Sequence, residues 1–153
     1  MGGLVSPDAS RILFSKGQSE LWVMGVGGEE PHRILSIAPS RMWSFAWSPT
    51  SRRVVFLRAD ATEEYAIESC DLHGAQRIRL YSELGLLSWN GPSDVAWLAD
   101  GRVLFRLRGQ PPNDRSDNIW SIEVDPDTGR VRGQPEQISA TALVNRTRAG
   151  GSR

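Results

Sequence analysis

The chain has 153 residues, 39% of them hydrophobic and 24% charged, with 18 basic residues against 18 acidic for a formal net charge of zero. That length fits one domain with a core of moderate size, and balanced charge supplies no long-range field to draw in nucleic acid or an anionic membrane. A lone cysteine, Cys70, excludes an intrachain disulfide, a paired-cysteine metal site and a Cys-x-x-Cys redox motif. The longest aliphatic or aromatic run, Val54 to Leu57, falls far short of the roughly 20 residues that cross a bilayer, and no basic-then-apolar leader opens the sequence.

Taken in order, the sequence repeats one pattern three times. Each copy opens with a short apolar strand, a polar turn and a second apolar strand. The first copy passes from Val5 through Ser6-Pro7-Asp8-Ala9-Ser10 to Ile12-Leu13-Phe14, and the second from Phe45-Ala46-Trp47 through Ser48-Pro49-Thr50-Ser51 to Val54-Val55-Phe56-Leu57. The third passes from Val95-Ala96-Trp97 through Leu98-Ala99-Asp100-Gly101 to Val103-Leu104-Phe105. Phe14, Phe56 and Phe105 anchor the three copies.

A third strand follows each anchor: Leu21 to Val26, Ile67 to Leu72, and Ile119 to Val124. Alternation with period two places Trp22, Met24 and Val26 on one face, and Trp120, Ile122 and Val124 likewise. In the middle copy the same register turns Cys70 and Leu72 inward, so Cys70 is read as a small core hydrophobe. Fourth strands are expected at Arg33 to Ser36, Ile78 to Tyr81 and Glu136 to Ser139, after turns at Gly27-Gly28, His73-Gly74 and Asp125-Pro126-Asp127-Thr128-Gly129. Amphipathic helical spacing is nowhere sustained.

Four antiparallel strands in about 40 to 50 residues is the period and content of a β-propeller blade. The expected fold is therefore all-β, a partial propeller of about three four-stranded blades over residues 1–38, 41–83 and 93–140. Residues 141–153 are expected to begin a further strand and then trail into a disordered tail. The connections Ala59 to Glu64, Leu84 to Ser93 and Gly109 to Asp117 are expected to be surface loops. Closed propellers have roughly four to eight blades. Three blades in an open stack leave apolar end faces, so the expected partners include the remaining blades of a longer chain or a second copy.

Residues in chemistry-bearing patterns are few. His32 and His73 each lie beside a turn, without a partner at metal-ligand spacing. Gly25-Val26-Gly27-Gly28 is followed by Glu29-Glu30-Pro31, whose carboxylates would repel phosphate. No Gly-x-Ser-x-Gly elbow is present. Neither catalytic residues nor a cofactor or metal are expected. Among the six tryptophans, Trp22, Trp47, Trp97 and Trp120 fall at repeat positions and are read as core between blades. Trp43 and Trp89 fall outside the strict repeat. With Asn90, Ser93 and Asp94 they form the candidate binding site, at the mouth of a central channel.

The blocks Trp-Ser-Pro, Val-Val-Phe, Leu-Trp-Val-Met or Ile-Trp-Ser-Ile, and Arg-Ile-Leu, repeated in phase over roughly residues 4 to 140, resemble the WD40-like repeats of TolB-type β-propellers. The last copy, from Asp117-Asn118-Ile119-Trp120 to Gln137-Ile138-Ser139, is similar to blades in the C-terminal propellers of bacterial Ser/Thr kinases and related sensors. The resemblance implies a non-catalytic module that binds a protein or a ligand within a larger bacterial sensor or signalling protein. The same resemblance implies, as alternatives, the substrate-filtering propeller of a prolyl-oligopeptidase-like peptidase, or a TolB-like periplasmic envelope protein. An extracytoplasmic location accords with it. The chain departs from the repeat at its turn glycine, which is Ala9 in the first copy and Ser51 in the second.

Overall fold

In the computed structural model the described residues are 2–62, 64–83, 86–88, 91–92, 94–108 and 117–138. They form fourteen strands: β1 (Leu4–Val5), β2 (Arg11–Lys16), β3 (Glu20–Gly25), β4 (His32–Ser36), β5 (Arg41–Trp47), β6 (Arg53–Ala59), β7 (Tyr65–Asp71), β8 (Ile78–Ser82), β9 (Leu87–Ser88), β10 (Gly91–Pro92), β11 (Ala96–Trp97), β12 (Arg102–Arg108), β13 (Asp117–Val124) and β14 (Val131–Ile138). No α-helix occurs among them. Three four-stranded antiparallel sheets follow chain order, β1-β2-β3-β4, β5-β6-β7-β8 and β11-β12-β13-β14, with a two-stranded β9-β10 ribbon between the second and third.

The turn joining the first two strands of each sheet is built the same way three times. The amides of Ser6, Ser48 and Leu98 donate to the carbonyls of Arg11, Arg53 and Arg102, and the amides of Ala9, Ser51 and Gly101 donate back to the carbonyls of Ser6, Ser48 and Leu98. Ser6 and Ser48 are buried, and each hydroxyl also accepts the amide that opens the next strand. The third sheet has Leu98 there, and Asp100 Oδ1 accepts the Arg102 amide instead. All three turns place their fourth residue at positive φ: 62° at Ala9, 62° at Ser51 and 95° at Gly101. Only the third uses the residue suited to it.

Register explains which side chains meet. Phe14 pairs with Trp22, Phe56 with Glu68 and Phe105 with Trp120, while Ile12, Val54 and Val103 pair with Met24, Cys70 and Ile122. Antiparallel partners share a face, so these residues form the same face of each sheet. On the third sheet that face packs against the middle sheet: Val103, Phe105 and Ile122 join Val55, Leu57 and Ile67 in one buried cluster, with Trp120 alongside. On the middle sheet it packs against the first, where Val54, Phe56 and Cys70 meet Leu13, Leu21 and Val23. Burial pushes the Cys70 thiol up to about 12, as expected of a core sulfur.

In the first sheet the matching face has no described sheet against it. Leu21 and Val23, on its other face, are buried, whereas Trp22 and Met24 are only half-buried and Val26 is 50% exposed. The alternation read from the sequence is right, but its cover differs from copy to copy. Trp47 and Trp97 are buried as expected, with their indole N–H groups donating to the carbonyls of Leu4 (2.8 Å) and Gly101 (3.2 Å). The Leu84 to Ser93 connection is more than a surface loop, since Leu86 is fully buried in the cluster between the middle and third sheets.

The middle sheet also buries charge. Glu68, opposite Phe56, takes Arg58 Nε and Arg77 Nε at 2.5 Å each, and Arg58 is itself buried. Burial raises the Glu68 carboxyl, but the hydrogen bonds and charges of Arg58 and Arg77 outweigh it and hold the group below its ordinary value. Arg53, fully buried on the opposite face, donates to Ser69 Oγ (3.0 Å) and to the Gln76 carbonyl (2.7 Å), while its Nε has no hydrogen-bond partner. The third sheet closes over this guanidinium at Gly129, where a Cβ would stand 2.6 Å from Arg53 Nε.

Candidate functional site

The first strands of successive sheets adjoin: Trp47 of β5 bonds to Leu4 of β1, and the Val95 amide just before β11 donates to Ser44 Oγ of β5 at 3.1 Å. On this edge Trp43 stands apart. The ladder between β5 and β6 pairs Met42 with Arg58 and Ser44 with Leu57, leaving Trp43 as the extra residue of a bulge. A bulge re-aims one side chain against the alternation of its strand. Here the flanking Met42 and Phe45 are buried while Trp43 is 40% exposed.

The indole lines a depression of about 370 Å³ with Pro39, Arg41, Asp60 and Tyr65. Four elements build it: the connection from the first sheet, the start of β5, the loop after β6 and the start of β7. Asp60 is held there by its own turn, since its Oδ1 accepts the Thr62 hydroxyl (2.6 Å) and the amides of Thr62 and Glu64. The Thr62 hydroxyl and these amides keep its carboxyl below the ordinary value. An indole, a guanidinium and a carboxylate therefore share one depression.

Of the sequence-predicted site residues, Trp43 lines this depression, and Trp89, Asn90 and Ser93 lie outside the described residues. Asp94 directly precedes Val95 and so sits near Ser44, but its carboxylate faces Arg106 at 3.8 Å. Among the described residues no group of three or more His, Cys, Asp or Glu side chains is placed to hold a metal ion.

One pairing was missed by sequence reasoning. His32 and His73, read as unrelated turn residues, lie with ring centroids 6.2 Å apart across the junction of the first two sheets. Their neighbouring addresses in consecutive repeats are the one signal of it, since His32 opens the fourth strand of the first and His73 lies in the turn leading to the fourth strand of the second.

No family model matches the sequence, and no curated protein matches it. Solved structures do. An oligogalacturonate lyase from Vibrio parahaemolyticus is 14% identical with a TM-score of 0.62, over 86% of this chain and 39% of that one. The β-propeller domain of the Trilobed protease from Pyrococcus furiosus is 18% identical with a TM-score of 0.60, over 90% of this chain and 42% of that one. The tricorn protease is 12% identical with a TM-score of 0.54, over 91% of this chain and 16% of that one. At these identities the likeness is one of fold: three propeller blades, a partial β-propeller. The chain spans less than half the length of each of these three structures.

Proposed function

We propose that the chain is a non-catalytic β-propeller module that binds a protein or small ligand through the Trp43 depression, within a larger bacterial sensor or signalling protein. The observation that carries the reading is the bulge at Trp43, which exposes a large indole on a strand whose other large apolar side chains, Met42, Phe45 and Trp47, are buried, in a depression it shares with Arg41 and Asp60. A random peptide display library panned on the full chain tests it. Selected peptides should lose binding at least tenfold on Trp43→Ala while far-ultraviolet circular dichroism stays unchanged. Peptides indifferent to Trp43→Ala, or no selectable peptide, would refute the reading.

Assembly is part of the proposal. Phe14, Trp22 and Met24 occupy the positions through which the other two blades pack against the blade before them. Their face is therefore a contact for a further blade, supplied by the rest of a longer polypeptide. The short coverage of the matched structures accords with this. Light scattering of the isolated chain should show self-association that Trp22→Glu weakens; a stable monomer at all concentrations would count against it.

A second reading, the substrate-filtering propeller of a peptidase, is favoured by the proteases among the structures of similar fold. Adjacent coding sequence separates the two. A Gly-x-Ser-x-Gly element there supports the peptidase, and a kinase domain or transmembrane helix supports the sensor.

A further inference from the structure

The end of the stack opposite Trp43 carries a second concavity, made by two blades. His32, at the start of β4, and His73, in the turn after β7, are the only histidines in the chain. Their rings lie within 18° of parallel. With Arg11, Ser51, Arg52 and Asp71 they wall a pocket of about 230 Å³. His32 Nε2 lies 3.3 Å from the Leu72 carbonyl, a hydrogen bond that ties the first blade's ring to the second blade's turn.

The charges around the rings come from every neighbouring element. Arg11 of β2 and Arg52 of the turn before β6 are cationic, and Asp71 ends β7. Glu29 and Glu30 line an adjoining depression that shares Arg11 and His32. Asp8, in the first turn, is held down to about 2 by the Ser6 and Ser10 hydroxyls, with a further contribution from the Arg11 charge. Several of these carboxylates are engaged by their own backbone. Asp71 Oδ1 accepts the amides of His73 and Ala75, and Asp8 Oδ1 accepts the Ser10 amide and both hydroxyls. Arg52 has only a loose, exposed ion pair, 3.9 Å from Asp127.

We propose that this pocket is a proton-linked site for a small divalent oxyanion, sulfate-like or phosphate-like, either free or carried on a side chain. Two guanidinium groups line the pocket, and among the described residues its His32, His73 and Asp71 side chains are not grouped to hold a metal ion. Imidazole is the side chain whose charge changes most readily within the physiological pH range. Two parallel imidazolium rings this close repel each other, and a dianion between them and the arginines relieves that repulsion. With both rings neutral, Arg11 and Arg52 are offset by Asp71, Glu29 and Glu30. Binding therefore takes up protons, and affinity rises as the pH falls.

Sulfate is the suitable probe, because its own charge is constant over the range used. Titrating the full-length chain with sodium sulfate, followed by the imidazole resonances of His32 and His73, should give saturable shifts at pH 6. Affinity should be at least tenfold weaker at pH 8, and Arg11→Gln should weaken binding at both. A phosphoserine peptide titrated in parallel distinguishes an oxyanion carried on a chain from a free one by which binds more tightly. The comparison of the two pH values needs no variant and holds whether or not Arg11→Gln folds. Shifts that sodium chloride reproduces at equal ionic strength, affinity independent of pH, or shifts produced by Zn²⁺ but not by sulfate would overturn the proposal.

Discussion

Strands β6 and β12 occupy the same place in consecutive blades and read alike, Arg-Val-Val-Phe-Leu-Arg-Ala and Arg-Val-Leu-Phe-Arg-Leu-Arg, yet their burial differs. Every residue of β6 is buried, whereas β12 alternates buried and half-buried from end to end. The middle blade has a neighbour on each face and the third, among the described residues, on one. A strand's own alternation thus decides which side chains share a face, and the neighbouring blades decide which faces are dry. Two-sided burial has a chemical consequence too. Arg53 and Arg58 lie on covered faces and must find partners in Ser69, Gln76 and Glu68, while Arg102 remains partly open and pairs with Asp100 at the surface.

The sharpest way to break the comparison is to delete one anchor at a time. Phe56→Ala opens a cavity between two blades and should cost about 4 kcal/mol, while Phe14→Ala, on the half-covered face, should cost about 1 kcal/mol. Urea midpoints measure both, and equal losses would refute the difference in cover. Next in size is Glu68→Gln, which leaves Arg58 buried without its counter-charge and should cost about 3 kcal/mol. Because the folded-state value of Glu68 is lowered, the stability it contributes is present above its ordinary value of 4.5 and lost as the pH falls through the folded value. The wild type should therefore lose stability in acid more steeply than Glu68→Gln, as read by thermal melts from pH 6 down to pH 3.

Gly129→Ala probes the junction from the third blade. The residue has a φ of 75° and its missing Cβ makes room for Arg53, so the change should cost about 2 kcal/mol by chemical denaturation. The smallest effect is a gain. Ala9→Gly relieves a φ of 62° in an exposed turn and should add up to about 1 kcal/mol, while Gly101→Ala, the reverse change in the third blade, should remove as much.

Much of the architecture was legible because each blade is a local object. A Ser-Pro or Asp-Gly turn between two apolar strands needs only its own dozen residues to announce itself, and three in phase give the stack. The shared face of Trp22, Met24, Cys70, Ile122 and Trp120 followed from alternation. What alternation cannot convey is the occupancy of that face, and so Trp22 was read as core although it is half-exposed here. Burial of Glu68 and Arg53 was equally hidden, since both look like ordinary solvated charges until blades close on each side. At the candidate site, Trp43 stands out in the sequence because it breaks the repeat, but the bulge that exposes it is a property of pairing with β6. The meeting of His32 with His73 depends on how one blade sits against the next, which no short-range pattern encodes.

Native-state hydrogen exchange tests the central claim, that the middle blade is sealed on both faces, most directly. The amides of Val54 to Leu57 should exchange slowest of all, at rates that follow global unfolding, and those of Ile12 to Phe14 faster, through local opening. Equal protection of the two strands, or slower exchange in the first blade, would contradict it.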